Sequence, residues 1–218
     1  MFILEVIVAL KIESLTPSST ALLLIDLQND FVEPGAPLET AMAYKSLPKL
    51  QDLMRFCREK GIVLIYTRHA HDDDGSDMGL FKEIYPGLGQ RQALIQGQRG
   101  AEIYADVAPQ EGDIVVRKQR YSGFFQTNLD LILRSKGIKD VAIAGATSED
   151  CCLATARDAM YRGYRVAFLE DVTGTYDYPD IGYGAIAAED LHRMILTIVG
   201  VTTAHVMKAE EFKALVQN

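Results

Sequence analysis

The sequence predicts one α/β domain, a doubly wound and mostly parallel sheet with helices on both faces. Three observations lead there. Apolar runs of five to seven residues recur without polar alternation, the pattern of strands buried on both sides. Helical periods alternate with these runs, several of them stopping at a glycine. No repeat, low-complexity tract or linker divides the 218 residues, a length that suits a single α/β domain.

Thr20–Asp26 (TALLLID) is the first such strand. Tyr44–Lys60 has a helical period and ends at Gly61, with Pro48 either in its first turn or at a kink. Ile62–Thr67 is the second strand. Residues 68–112 are rich in Gly, Asp, Gln and charge and show little period; an excursion of that length in a compact domain points to function. Asp113–Lys118 is the third strand, Thr127–Ser135 a helix stopped by Gly137, and Asp140–Ala144 the fourth strand. Asp150–Arg162 is a helix ending at Gly163, followed by a fifth strand at Arg165–Leu169. A helix at Tyr183–Val199, a short last strand at Thr202–Val206 and a terminal helix complete the order. Right-handed crossovers between parallel strands then wind the sheet both ways.

Residues 1–18 read as a peripheral arm or subunit contact ahead of a domain at 19–218. Phe2–Leu10 is apolar but interrupted by Glu5 and far too short to span a bilayer. It lacks the basic start and cleavage site of a secretory signal. Thirty acidic against 22 basic residues give a charge of −8, which argues against nucleic acid or an anionic membrane as partner. Three cysteines, two of them adjacent, make no disulfide framework, so a reducing, cytoplasmic setting is expected.

Ligands of open parallel sheets bind at the carboxyl ends of the strands. There the chain places Asp26, Arg68 and His69, Lys118, and a loop Gly145–Asp150 leading into Cys151-Cys152. A carboxylate, an ammonium and a thiol on one edge suit nucleophilic acyl chemistry. Taken singly, each has a plainer reading: buried cysteine packs cores, a strand-end aspartate caps a turn, a strand-end lysine is solvated. Only their convergence points to chemistry. On the following helix, Cys152, Leu153, Ala156, Ala159 and Met160 share an apolar stripe, so Cys152 is expected to pack and Cys151 to face the cleft. A helix N-terminus favours the thiolate and offers N–H groups to an oxyanion. Glu149 and Asp150 oppose the thiolate, and one of them is expected to cap the helix and point away.

Three stretches, LLLIDLQNDFVEPG (22–35), RKQRYSGFFQTNLDLIL (117–133) and GATSEDCCLATARDAMYRGYRV (145–166), resemble the isochorismatase-like cysteine hydrolases, in order and spacing, over about residues 20–206. The resemblance implies a Rossmann-like fold and a triad of Asp26, Lys118 and Cys151, with Thr155-Ala156-Arg157-Asp158-Ala159 fixing the register. It also implies a non-proline cis peptide near Ala146-Thr147, an oxyanion hole from the N–H groups of Cys151 and Thr147, and a homodimer or homotetramer. The activity implied is hydrolysis of a linear C–N bond in a small amide, carbamoyl or ureido compound through a thioester, without a cofactor. Many members carry Asn-Val where this chain has Glu149-Asp150, and an aliphatic where it has Cys152, which leaves the substrate subgroup open.

Other readings compete. Vinyl-ether hydrolysis of the isochorismatase type needs no thiol, and the retained Cys151 speaks against it. A catalytically idle binding module is opposed by the complete triad, and a Cys151-Cys152 redox pair by the strain of a disulfide between neighbours. Phe31, Tyr121 and Phe125 are candidates to wall a substrate pocket, with Phe124, Asn29 and Ser122 nearby in sequence. Arg68 is a candidate to bind a substrate carboxylate, and the run Tyr176–Gly184 to cover the site. His69-Ala70-His71 invites a metal, as in nicotinamidases of the superfamily, which use an Asp-x-His pair and a later His. Here the first position is His69 and the next histidine is His192; two ligands do not make a site, so no metal is expected. The acidic run Asp72–Asp77 lacks calcium-loop spacing.

Overall fold

Six parallel strands make one sheet, in the order β3-β2-β1-β4-β5-β6, in a computed structural model that describes residues 10–217. The strands are β1 (Thr20–Ile25), β2 (Val63–His69), β3 (Ile114–Lys118), β4 (Asp140–Ala146), β5 (Arg165–Gly174) and β6 (His205–Met207). The helices are α1 (Asn29–Val32), α2 (Ala41–Lys60), α3 (Phe81–Ile84), α4 (Pro86–Gly89), α5 (Leu129–Ser135), α6 (Leu153–Tyr161), α7 (Ala188–Thr202) and α8 (Ala209–Leu215). All five strand pairings are parallel. No helix among the described residues is long and apolar enough to cross a membrane.

The period of two along each strand divides the core into two layers. Leu22 and Leu24 of β1 and Ala142 and Ala144 of β4 face Leu47, Leu50, Leu53 and Met54 of α2 and Phe212 of α8. Leu23 and Ile25, with Val141 and Ile143, face Leu129 and Leu133 of α5, Ala156 and Ala159 of α6, and Ile195 and Val199 of α7. All six residues of β1 are buried, which is why its sequence does not alternate. The chain winds outward from β1 through β2 to β3, then returns to place β4 on the other side of β1. The carboxyl ends of β1 and β4 therefore flank the topological switch point, where such sheets open a crevice.

Gly145 makes that junction possible. It pairs with Ile25, has φ +121°, and a Cβ there would lie 2.1 Å from the Ile25 carbonyl oxygen. Gly145→Ala is expected to cost about 3 kcal/mol, or roughly 6–12 °C in melting temperature, through backbone strain and clash. Gly137→Ala is the control, because Gly137 has φ +68° but a Cβ added there would meet nothing within 4 Å; equal losses in the two variants would refute a close approach at Gly145.

Several elements differ from the sequence reading, each for a local reason. Strand β5 runs to Gly174 because, past an irregularity, Thr173 and Gly174 pair with Gly145 and Ala146; Glu170 and Asp171 hide this extension in the sequence. Helix α2 starts at Ala41 and holds Pro48 inside it. Helix α7 starts only at Ala188, since Tyr178 and Ile186 bridge across the turn-rich run before it. Residues 68–112 contain α3, α4 and the short turns Arg99–Ala101 and Ala105–Val107. Of the expected N-terminal arm, residues 1–9 lie outside the described residues. Farther along it, Ile12 and Leu15 are buried, and Leu15 exchanges backbone hydrogen bonds with Leu215 and Gln217.

Candidate active site

Three strand ends meet at the switch point. Asp26 follows β1 in a left-handed conformation, φ +48°, which an aspartate tolerates better than most side chains. Thr67 of β2 holds it there: the Asp26 N–H donates to Thr67 Oγ1 (3.2 Å), and that hydroxyl donates to Asp26 Oδ1 (2.6 Å). Lys118, the last residue of β3, is wholly buried beside it. Its Nζ donates to the Arg120 carbonyl (2.9 Å) and to Cys151 Sγ (3.3 Å) and lies 2.7 Å from Asp26 Oδ2. That last contact is a fully buried ion pair. A ligand atom each from Asp26, His69 and Cys151 lies within 4.8 Å of the others, so the Asp26 carboxylate stands close to the thiol.

The turn after β4 presents the sulfur. The Ala146–Thr147 peptide is cis, where the resemblance places such a bond. Residues Ser148–Cys152 form a π turn whose first internal bond runs from the Cys152 N–H to the Thr147 carbonyl (3.0 Å). The amides of residues 148–151 precede that bond, the position from which helix N–H groups can meet an anion. The wider turn shifts the helical phase, so Thr155, Ala156 and Ala159 are the buried face of α6 while Leu153 and Met160 are only half-buried. Cys152 is fully buried, as its place on the stripe predicts, and Cys151 is 4% exposed, opening onto a pocket.

Electrostatics set the resting state. Burial pushes the Cys151 thiol well up; Lys118 pulls it down and Asp26 adds to the rise. Burial therefore opposes the thiolate and Lys118 favours it. Burial works against the Lys118 ammonium, but Asp26 and Cys151 outweigh it and hold its pKa above the ordinary lysine value. Burial, then the charge of Lys118, keeps His69 neutral. The same ammonium contacts both Asp26 and Cys151, so a metal cation held by those ligands would face its positive charge. The nicotinamidase-type set is incomplete as well: His69 and His71 face each other Nε2 to Nε2 at 3.2 Å, whereas His192 is engaged with Ser148 (2.8 Å) and the Glu170 carbonyl (2.9 Å). These residues do not fit that metal.

The pocket has a volume of about 440 Å³, counting space at its open mouth, and Phe31, His69, Tyr121, Thr147 and Cys151 line it. Two expected residues are not brought there. Phe125 lies past the turn that packs Phe124 and is 47% exposed. Arg68 is spent on Glu102 (2.9 and 3.0 Å) and Gln96 (3.0 Å) and does not line the pocket. Phe124 stacks on Tyr164, Ser122 donates to Asp158 (2.5 Å), and of the run 176–184 only Tyr176 reaches the pocket. Neither Glu149 nor Asp150 caps the helix. The π turn instead aims Glu149 at the Tyr178 hydroxyl (3.2 Å) and Asp150 into the pocket wall.

Sequence reasoning missed the walls supplied by the long excursion, among them Phe81, Tyr85, Leu88 and Leu94. The signal that could have found their anchor is the tripeptide 28–30 after β1. Gln28 Nε2 donates to the carbonyls of His69 (2.8 Å) and Ala101 (2.9 Å), Asn29 Nδ2 to those of Arg99 (2.7 Å) and Glu102 (3.1 Å), and Asp30 Oδ2 accepts from the Leu94 N–H (2.7 Å). Three buried polar side chains in a row, each on distant backbone, pin the excursion over the strand ends.

The structure is that of an α/β protein whose doubly wound sheet holds a buried carboxylate, ammonium and thiol at its switch point. Comparison with known proteins gives the family: the isochorismatase domain family matches residues 20–211, and the chain belongs to that family of hydrolases. It is 33% identical over 157 residues to the "Probable inactive nicotinamidase At3g16190" of Arabidopsis thaliana, covering 71% of this chain and 80% of that protein. It is 31% identical over 175 residues to the ureidoacrylate amidohydrolase RutB of Caulobacter segnis, covering 72% and 73%. The crystal structure of a cysteine hydrolase from Pseudomonas syringae pv. phaseolicola superposes with a TM-score of 0.89 at 33% identity, over 92% of this chain and 93% of that one.

Proposed function

We propose that the protein is a cysteine-dependent amidohydrolase that cleaves a linear C–N bond of a small amide, carbamoyl or ureido compound. The observation that carries this reading is the single buried cluster in which Lys118 Nζ donates to Cys151 Sγ (3.3 Å) and pairs with Asp26 Oδ2 (2.7 Å). Sγ attacks the carbonyl carbon while Asp26 takes the thiol proton. The amides of Cys151 and Thr147 hold the oxyanion. Asp26 passes the proton to the leaving nitrogen, the C–N bond breaks, and ammonia or an amine departs. Water then attacks the thioester, giving one proton to Asp26, and the acid product leaves as the proton returns to sulfur. Lys118 stabilises the negative charge as it moves between Asp26 and sulfur. The likeness to a ureidoacrylate amidohydrolase supports this class of substrate. The test is an ammonia-release screen of small amides, ureides and carbamoyl compounds, with the Cys151→Ala protein as blank. Release above that blank by at least one compound is expected; equal release from both proteins across the whole set would overturn the reading.

A further inference from the structure

The wall of the pocket carries a charge bias that bears on which substrates it admits, an inference that rests on the amidohydrolase reading. Most of the lining is apolar or aromatic, from Phe31, Leu38, Phe81, Leu88 and Leu94 to the tyrosines. The acidic side chain in that lining is Asp150, directly before the nucleophile. It accepts a long hydrogen bond, from the Tyr85 hydroxyl to Oδ2 at 3.5 Å, and among the described residues no Lys or Arg forms an ion pair with it. Next to it, Glu149 Oε2 is buried without a hydrogen-bond partner among those residues.

The cations nearby are committed elsewhere. Lys118 serves Asp26 and Cys151. Arg68 serves Glu102 and Arg117 serves Asp72 and Asp77. Arg120 stacks over Phe81, 5.4 Å from the ring centre, and donates to the carbonyls of Asp77 and Gln119 (3.0 and 2.6 Å). His69, which does line the pocket, is neutral. No lysine or arginine lines this described wall to receive a substrate carboxylate, and one carboxylate is set to repel it.

We infer that Asp150 is a specificity-determining residue that favours substrates whose non-reacting end carries an ammonium or another hydrogen-bond donor and disfavours those that end in a carboxylate. The neighbouring hydroxyls of Tyr85 and Tyr121, 2.9 Å apart, extend the polar patch that such a donor would meet. Burial, and then Glu149, push the Asp150 carboxyl up to about 6; an incoming ammonium relieves that penalty, whereas a second carboxylate adds to it. This separates the chain from its relative named for ureidoacrylate, itself a carboxylate compound.

Two thiol reagents matched in size test the bias without needing a substrate: aminoethyl and carboxyethyl methanethiosulfonate. Each forms a mixed disulfide with Cys151 and releases methanesulfinate. Rates are read at Cys151 by fragment-resolved mass spectrometry and divided by those with free 2-mercaptoethanol. The amine reagent is expected to win by about tenfold, the effect of one charge at a few ångströms in a partly screened site. Asp150→Asn should bring the ratio near one, and Asp150→Glu should keep the amine ahead. A ratio near one or favouring the carboxylate in the unaltered protein would overturn the inference, as would a ratio that Asp150→Asn leaves unchanged. If the ammonia screen fails while the amine preference holds, the hydrolase reading falls and the charge selection stands; turnover without the preference has the reverse meaning.

Discussion

Lys118→Met is expected to abolish turnover and to lower the unfolding free energy by about 3–5 kcal/mol, the cost of stripping one partner from a buried ion pair. Both side chains of the pair are fully inaccessible to solvent, and the ammonium also serves the Arg120 carbonyl and the Cys151 sulfur. Methionine fills the volume but leaves Asp26 as an unpaired buried charge. The melting temperature should fall by roughly 10 °C. The double variant Asp26→Asn/Lys118→Met should lose less than the sum of the single variants, since it removes the stranded charge. Denaturant unfolding of the three proteins measures this, and strict additivity would show that the two groups do not act as a pair.

Cys151→Ser is expected to lower kcat/KM by at least about 10³-fold while the fold persists, because a buried hydroxyl is far harder to deprotonate than a thiol and a carboxylate is a weak base for it. Serine is close in size, and the Lys118 ammonium can donate to its oxygen as it does to sulfur, so the melting temperature should stay within a few degrees. Cys152→Ser serves as the contrast. Its sulfur is buried in the layer with Ala156 and Ile143 and lines no part of the pocket, so its replacement should act on stability rather than on chemistry.

Much of the sheet could be read in the chain because a strand covered on both faces has no polar positions to confuse its pattern: β1 and β4 are buried along their whole length. The strand ends then bring together Asp26, Lys118 and Cys151, three residues far apart in sequence, and period distinguishes the cysteine in the pocket from its packed neighbour. What could not be read depends on contacts rather than on period. The π turn at Ser148–Cys152 leaves no compositional mark, so neither acid before Cys151 is the helix cap that the sequence suggests, and Asp150 faces the pocket. Phe125 and Phe124 look alike in sequence, yet the turn buries one and exposes the other. The walls from α3 and α4 sit on elements of four residues each, too short to show a helical period. Their position is fixed by Gln28, Asn29 and Asp30, whose partners lie as far as 73, 73 and 64 residues along the chain.

The proposed mechanism turns on one covalent bond, that between Cys151 and the acyl group of a substrate. Rapid quenching in acid during steady turnover, followed by mass spectrometry of the peptide that holds residue 151, should find a fraction of the unaltered enzyme heavier by the acyl group, with the label on Cys151 and none in Cys151→Ser under the same conditions. Turnover that continues undiminished in Cys151→Ser, or an acyl group carried on any other residue, would contradict it.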